Sequence, residues 1–260
     1  MKLTKLLAFS GFVLFIAACG TTKAGLQLVN SQSFNEKQIS LEESFVKKYL
    51  SESMDTNQLS RFTDKNFTEL ISLAETLKET KSDSSWFILK RKWQEFNQTA
   101  IGSSADSSGN TNAEFQKWTE LNIDLLKLTG EVMFGDALEK QIYQSKPVVT
   151  EQLLKSIIYT HHYDQIFVNL FVSSALTHYH TTGGTVKLIQ KTDFPESNEI
   201  TLKCETDDVR YLDVFIRIPE WAVNPKVTHG NVKYVAHSGE YCQISRKWND
   251  GDEIQVTLKN

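Results

Sequence analysis

Between residues 26 and 101 the chain contains neither glycine nor proline, and all four prolines fall at or after Pro147. These two residues punctuate a chain most strongly. Proline fixes φ and lacks an N–H, and glycine is free at positive φ. A front half without them favours long helices. A back half that has them favours short strands joined by turns. At 260 residues the chain has length for one or two domains.

The front half carries the periodicity that this predicts. Residues 41–50 read as a helix, as do residues 66–78, where Phe67, Leu70, Ile71, Ala74 and Leu77 form one stripe. Asn66 with Glu69 three residues on predicts a capping box. Residues 84–96 add an aromatic helix with Trp86, Phe87, Trp93 and Phe96. The run GSSADSSGNTN over 102–112 predicts a loop. The clearest helix spans 113–129, where Phe115, Trp118, Leu121, Leu125 and Leu128 step by three and four residues. Gly130 stands where a left-handed C-cap residue is expected, and a further helix covers 135–144.

From residue 156 the pattern becomes β-branched and alternating. Strands are predicted at 166–172, 186–191, 199–206, 212–218, 230–235, 241–246 and 253–258. Gly183-Gly184, Asn224-Pro225, Ser238-Gly239 and Asp250-Gly251 mark turns between them. Short strands at this spacing predict an antiparallel β-sandwich. Val214, Ile216 and Ile218 alternate with Phe215 and Arg217, giving that strand two unlike faces.

The N-terminus reads as an address. Lys2 and Lys5 precede a mainly apolar stretch over 6–18. A membrane span needs about 20 such residues, so the stretch suits a secretory signal instead. Ile16-Ala17-Ala18-Cys19 resembles a bacterial lipobox, in which Cys19 would take diacylglycerol and become the N-terminus. Two acyl chains suffice for stable anchoring, so the membrane is an expected partner. Residues 1–18 are then the signal and 19–35 a tether. Gly20 after the cysteine, with no acidic run following, points to the periplasmic face of an outer membrane. With 28 basic against 32 acidic side chains, binding to a nucleic-acid backbone is not expected. Of three cysteines, Cys204 and Cys242 remain after lipidation, either as a disulfide or as two inward-facing core thiols.

Other constellations carry little. His161, His162, His178 and His180 are four of the six histidines. His178 and His180 would share a face on a strand and could bind a metal. But 177–182 reads as a loop with no third ligand type, so no metal is expected. Glu120 and Asp124 lie at i and i+4 on one helix face, as an acid/base pair or as a solvated surface. Trp118 belongs to an apolar stripe, whereas Trp221 and Trp248 stand near turns and are candidates for stacking on sugar rings.

The back half also carries a series of phrases. These are Ile166-Phe-Val-Asn-Leu-Phe-Val-Ser-Ser-Ala-Leu176, the run 186–195, Phe215-Ile-Arg-Ile-Pro-Glu-Trp-Ala222, and the run 239–252. In that order they resemble the β-sandwich of glycoside hydrolase family 127, the β-L-arabinofuranosidase-like proteins. The run 121–131, with Gly135-Asp136 and Glu139 to Tyr143, resembles a late helix pair of that family's (α/α) barrel. The resemblance implies an α+β chain: a partial α/α-toroid-like helical layer over 36–155, then an antiparallel β-sandwich over 156–260.

It also implies what to look for in a site. Family enzymes use cysteines and a glutamate on zinc, with one cysteine as nucleophile and another glutamate as acid/base. A zinc-bound thiol is deprotonated near neutral pH and can attack an anomeric carbon. Aligned on Trp118, the family's Glu-Thr-Cys phrase falls on Thr111, Asn112 and Ala113. The interval 145–160, where paired cysteines belong, has none. No catalytic residue carries over, and no cofactor is expected. The leading expectation is a lipid-anchored, catalytically degenerate relative that binds or processes an arabinofuranoside-type glycan. Its rivals are an active hydrolase using carboxylates such as Glu114 or Glu120, and a structural envelope lipoprotein that binds no glycan.

Overall fold

Apolar stripes at helical spacing order the front of the chain. The computed structural model describes residues 26–50, 64–102, 112–144 and 150–259. Cys19, the signal and the start of the tether lie outside the described residues. Helices α1 (Glu43–Tyr49), α2 (Asp64–Thr80), α3 (Asp83–Gly102), α4 (Asn112–Thr129), α5 (Val132–Gln144) and α6 (Glu151–Ile158) follow in order. In α2 the stripe Phe67, Leu70, Ala74 and Leu77 is buried, and in α3 Trp86, Leu89, Trp93 and Phe96 are. Asn66 lies inside α2 rather than at its cap, because the helix already includes Asp64. An aromatic cluster joins these helices to α4 and α5. Trp93 stacks on Trp118 at 5.6 Å and meets Phe134 edge-on at 5.1 Å. The Trp93 Nε1–H donates to Asn122 Oδ1 at 3.0 Å, which answers the one polar group that burial of the indole would strand.

Gly130 closes α4 at φ 65°, its N–H donating to the Leu126 carbonyl at 2.8 Å. A Cβ there would lie 2.5 Å from Val29 Cγ2, so the turn also admits the N-terminal segment. That segment is no free tether from residue 26 onward. The N–H groups of Val29 and Ser31 donate to the carbonyls of Leu128 and Lys127 at 2.9 and 2.8 Å, and Phe34 is buried. The tether expectation is therefore corrected over 26–35. Backbone donors that pair with a helix end, and an aromatic ring that finds a pocket, are built into the fold.

Among the described residues, twelve strands form two sheets. They are β1 (Gln32–Ser33), β2 (Ile39–Leu41), β3 (Tyr159–His162), β4 (Gln165–Val168), β5 (Ser174–Tyr179), β6 (Thr185–Thr192), β7 (Glu199–Thr206), β8 (Arg210–Ile218), β9 (Lys226–His229), β10 (Val232–Tyr234), β11 (Glu240–Trp248) and β12 (Glu253–Thr257). One sheet runs β1-β3-β4-β8-β11, and the other β10-β9-β12-β7-β6-β5-β2. Their inner faces meet as a sandwich. Leu212, Val214 and Ile216 come from one sheet, and Leu188, Leu202 and Val256 from the other, all buried.

Three sequence expectations change here. The sandwich is not wholly antiparallel, because β4 pairs parallel with β8. The apolar run 166–172 is not one strand. It stops at Val168, where Asn169 turns its side-chain amide onto the Ile157 carbonyl. Finally, β1 and β2 come from the front of the chain yet pair with β3 and β5, so the boundary at 155/156 does not separate two bodies. The short strands β1, β2 and β3 were not legible because two to four residues carry no periodicity.

Candidate functional site

The most concentrated polar chemistry lies where α5 meets β8. Alternation on β8 sends Leu212, Val214, Ile216 and Ile218 into the sandwich and Arg217 outward, toward α5. Arg217 is wholly buried. Its guanidinium donates to Asp136 Oδ1 and Glu139 Oε2, and its Nε donates to the Asn169 carbonyl at 2.5 Å. Burial works against the charge, and the carboxylates of Glu139 and Asp136 outweigh it, raising the Arg217 pKa further above its usual value. The remaining carboxylate oxygens are occupied too. Asp136 Oδ2 accepts from the Glu220 N–H at 3.0 Å and Glu139 Oε1 from Trp221 Nε1 at 2.9 Å. Tyr241 donates to Asn169 Oδ1 at 2.6 Å, and burial pushes its phenol pKa up. Gly135 leaves the room: a Cβ there would lie 2.6 Å from Arg217 Cδ. Every group has a partner, so the cluster is a strut between helix and sheet.

The two tryptophan candidates part company. Trp221 is half-buried, with its indole N–H committed to Glu139 and its ring stacked on Phe194 at 6.1 Å. Trp248 is fully buried, and its Nε1–H donates to the Leu212 carbonyl at 3.2 Å. It offers no face to a sugar, which corrects the sequence expectation. The reason is parity: Cys242, Ile244 and Trp248 share the inward face of β11. The turn that follows exposes Asn249 and Asp250 instead.

The histidines gather at one end of the sandwich. His178 lies on β5 rather than in a loop, and its side chain is buried. Asp164 accepts from His178 Nε2 at 2.8 Å, from the Thr181 N–H at 3.1 Å and from the Thr181 hydroxyl. Burial works against the Asp164 charge, but the bonds from Thr181 and His178 outweigh it and hold the carboxyl below its ordinary range. His180 Nδ1 accepts from the Thr182 N–H at 3.1 Å, so its Nε2 carries the proton offered to the Tyr211 carbonyl at 3.0 Å. His161 stacks on Phe34 at 4.3 Å, and burial lowers its pKa. Among the described residues no three His, Cys, Asp or Glu side chains converge as a metal site.

The cysteines do not fit the zinc that the resemblance implies. Cys204 sits on β7 and Cys242 on β11, in different sheets, and both are buried and free. Burial pushes both thiols up to about 12, the opposite of what a metal-binding or nucleophilic thiolate requires. Of the carboxylate candidates, Glu120 is exposed and Asp124 pairs with Lys78 at 2.6 Å on the surface. The Glu114 side chain lies outside the described residues.

Comparison with known proteins bears on the back half. Residues 165–260 match the family described as Beta-L-arabinofuranosidase, GH127 middle domain. The sandwich is GH127-like. A GH127 beta-L-arabinofuranosidase from Geobacillus stearothermophilus T6 superposes with TM-score 0.55 at 18% identity, covering 74% of this chain and 41% of that one. A second GH127 beta-arabinofuranosidase gives 0.57 at 18% identity, covering 74% and 42%. A structure described as a glycoside hydrolase gives 0.52 at 18% identity, covering 58% and 33%. At this identity the likeness speaks for the fold, and the chain spans about two fifths or less of the length of these structures. No curated protein matches the sequence.

Sequence reasoning named none of the strut residues as functional, although Asp136, Glu139 and Arg217 all stand inside the phrases that carried the resemblance. The available signal was Arg217 itself: a permanent cation in a strand of Val, Ile and Leu needs a buried anionic partner.

Proposed function

We propose that this chain is a lipid-anchored cell-envelope protein that binds an arabinofuranoside-type glycan without hydrolysing it. One observation carries the reading. A GH127-like sandwich is present over 165–260, while the chain's two cysteines beyond Cys19 are core residues with thiols pushed up to about 12. A thiolate nucleophile therefore has no source at Cys204 or Cys242. The helices α2 to α5 stand in this reading for part of an (α/α) toroid. Cys19 is the anchor, and the periplasmic face of the outer membrane is the proposed address.

The test uses the full-length chain purified in detergent. Incubation with a chromogenic arabinofuranoside and with arabinan, with and without added zinc, is expected to release no product. Affinity electrophoresis in arabinan or arabinogalactan gels is expected to show retardation. Release of arabinose overturns the non-hydrolytic part, and absence of retardation in both gels overturns the binding part. Metabolic labelling with a fatty acid, lost in Cys19→Ser, tests the anchor.

A further inference from the structure

The outer face of the five-stranded sheet differs from an ordinary solvated sheet face. Registration of β4, β8 and β11 places its side chains in rows across three strands. Phe167, Phe215 and Gln243 form one row, and Gln165, Asp213 and Ser245 the next. Tyr211 and Lys247 follow. An aromatic row and an exposed tyrosine thus bracket a polar row. Phe215 is stacked on Phe167 at 4.6 Å, which fixes the plane of its ring. Tyr211 is 52% exposed, and the turn that carries Tyr163, 71% exposed, lies at the same end of the sheet. The Asp164 carbonyl there accepts the Asp213 N–H at 3.2 Å. Large aromatic groups held in water are unfavourable unless something covers them.

The polar row holds the second observation. The Asp213 carboxylate makes no hydrogen bond to any described residue, and its Oδ1 is shut off from solvent without a partner. Oδ1 is thus closed to a ligand arriving from solvent, and the part-exposed side chain offers Oδ2, which no described residue bonds, as its acceptor. Gln165 and Ser245 flank it, and Ser245 Oγ already accepts from Gln243 at 2.9 Å. Hydroxyl donors between flat apolar faces are the chemistry of a carbohydrate. Four residues of strand separate Tyr211 from Phe215 by about 14 Å, the reach of a short oligosaccharide rather than a single ring.

We propose that this face is the glycan-binding surface, with Tyr211 and Phe215 as stacking platforms and Asp213 as the acceptor for a sugar hydroxyl between them. The inference rests on the glycan binding proposed above and gives it a place. Trp221 is not part of it, since it lies beyond the end of β8 with its N–H committed to Glu139.

The experiment compares four full-length chains in arabinan and arabinogalactan gels: wild type, Tyr211→Ala, Asp213→Ala and Tyr179→Ala. Tyr179 is 65% exposed but lies on β5 in the other sheet, so it controls for any exposed tyrosine. Thermal melts confirm that each variant folds. Loss of one stacking contact is expected to weaken retardation about tenfold for Tyr211→Ala. Asp213→Ala is expected to weaken it by a similar factor, and Tyr179→Ala not at all. Wild-type retardation that survives both Tyr211→Ala and Asp213→Ala overturns the placement and leaves glycan binding standing. Equal loss in Tyr179→Ala overturns it as well. No retardation of the wild type overturns the underlying reading.

Discussion

Two polar clusters pin this molecule, one around a buried cation and one around a carboxylate. Around Arg217, β8 is tied to α5 across 81 residues of sequence by a cation that keeps its proton at every accessible pH. Around Asp164, a turn is tied to the neighbouring strand across 14 to 17 residues by the His178 ring and the Thr181 hydroxyl, beside a His161 ring whose pKa burial lowers. The first cluster sets how the helices sit on the sandwich. The second sets one end of the sandwich itself. A permanent charge suits the strut because it must never be left unpaired in a dry site. A carboxylate held by a ring and a hydroxyl suits a local contact between a turn and its neighbouring strand.

The sharpest way to break this comparison is Arg217→Ala. It leaves Asp136 and Glu139 without their cation, and breaking a buried pair costs about 3–5 kcal/mol. Urea unfolding should show that loss in the midpoint. The combination Arg217→Met with Glu139→Gln should recover part of it, because the remaining buried charge is smaller. A loss under about 1 kcal/mol for Arg217→Ala would mean that the helices do not depend on the strut.

Next in size is Gly135→Ala. The added Cβ would meet the Arg217 Cδ at 2.6 Å, and that side chain is pinned at every nitrogen-bearing end. Overpacking of this kind costs about 1–3 kcal/mol. Gly130→Ala tests a different cause, since φ 65° strains any other residue there whatever the space. In the second cluster, Asp164→Asn removes a charged acceptor from His178 and Thr181 and should cost about 1.5 kcal/mol, measured by thermal melting. The order strut, then glycine, then aspartate is the prediction. Its inversion would mean that the local contact is the stronger of the two.

What the sequence disclosed follows from element length. Stripes such as Phe67, Leu70, Ala74 and Leu77, and long alternating strands such as 212–218, span enough residues for their period to be counted. Strands β1 to β3, with two to four residues each, have no period to count, and β1 and β2 owe their pairing to partners far along the chain. The same limit hid the site. Trp248 beside a turn looks exposed in sequence, yet strand parity turns it inward with Cys242 and Ile244. Arg217 was the reverse case: its outward parity was legible, but the α5 carboxylates that make that direction a buried one were not. The tyrosines and Asp213 meet through the parallel pairing of β4 with β8. No local pattern announces that register, because the two strands are separated by three others in the chain.

The smallest effect tests the titratable side of the comparison. His161 faces Phe34, with His178, His162 and Asp164 near it, and burial holds its pKa below the ordinary 6.5. The folded state therefore resists a proton that the unfolded chain accepts. Stability from this residue is complete above pH 6.5 and falls as pH drops through that value, until the folded imidazole also protonates. Asp164 acts lower down. With its folded pKa below 3.8, its contribution is present above that value and is lost only as pH falls through the folded pKa. His161→Phe keeps a ring against Phe34 and removes the titration. Melting wild type and His161→Phe side by side at pH 7.5 and pH 5.5 should then show the variant gaining on the wild type at the lower pH. A gap between wild type and His161→Phe that is the same at both pH values would place the acid sensitivity elsewhere, and the contrast between a fixed strut and a titrating rim would lose its second half.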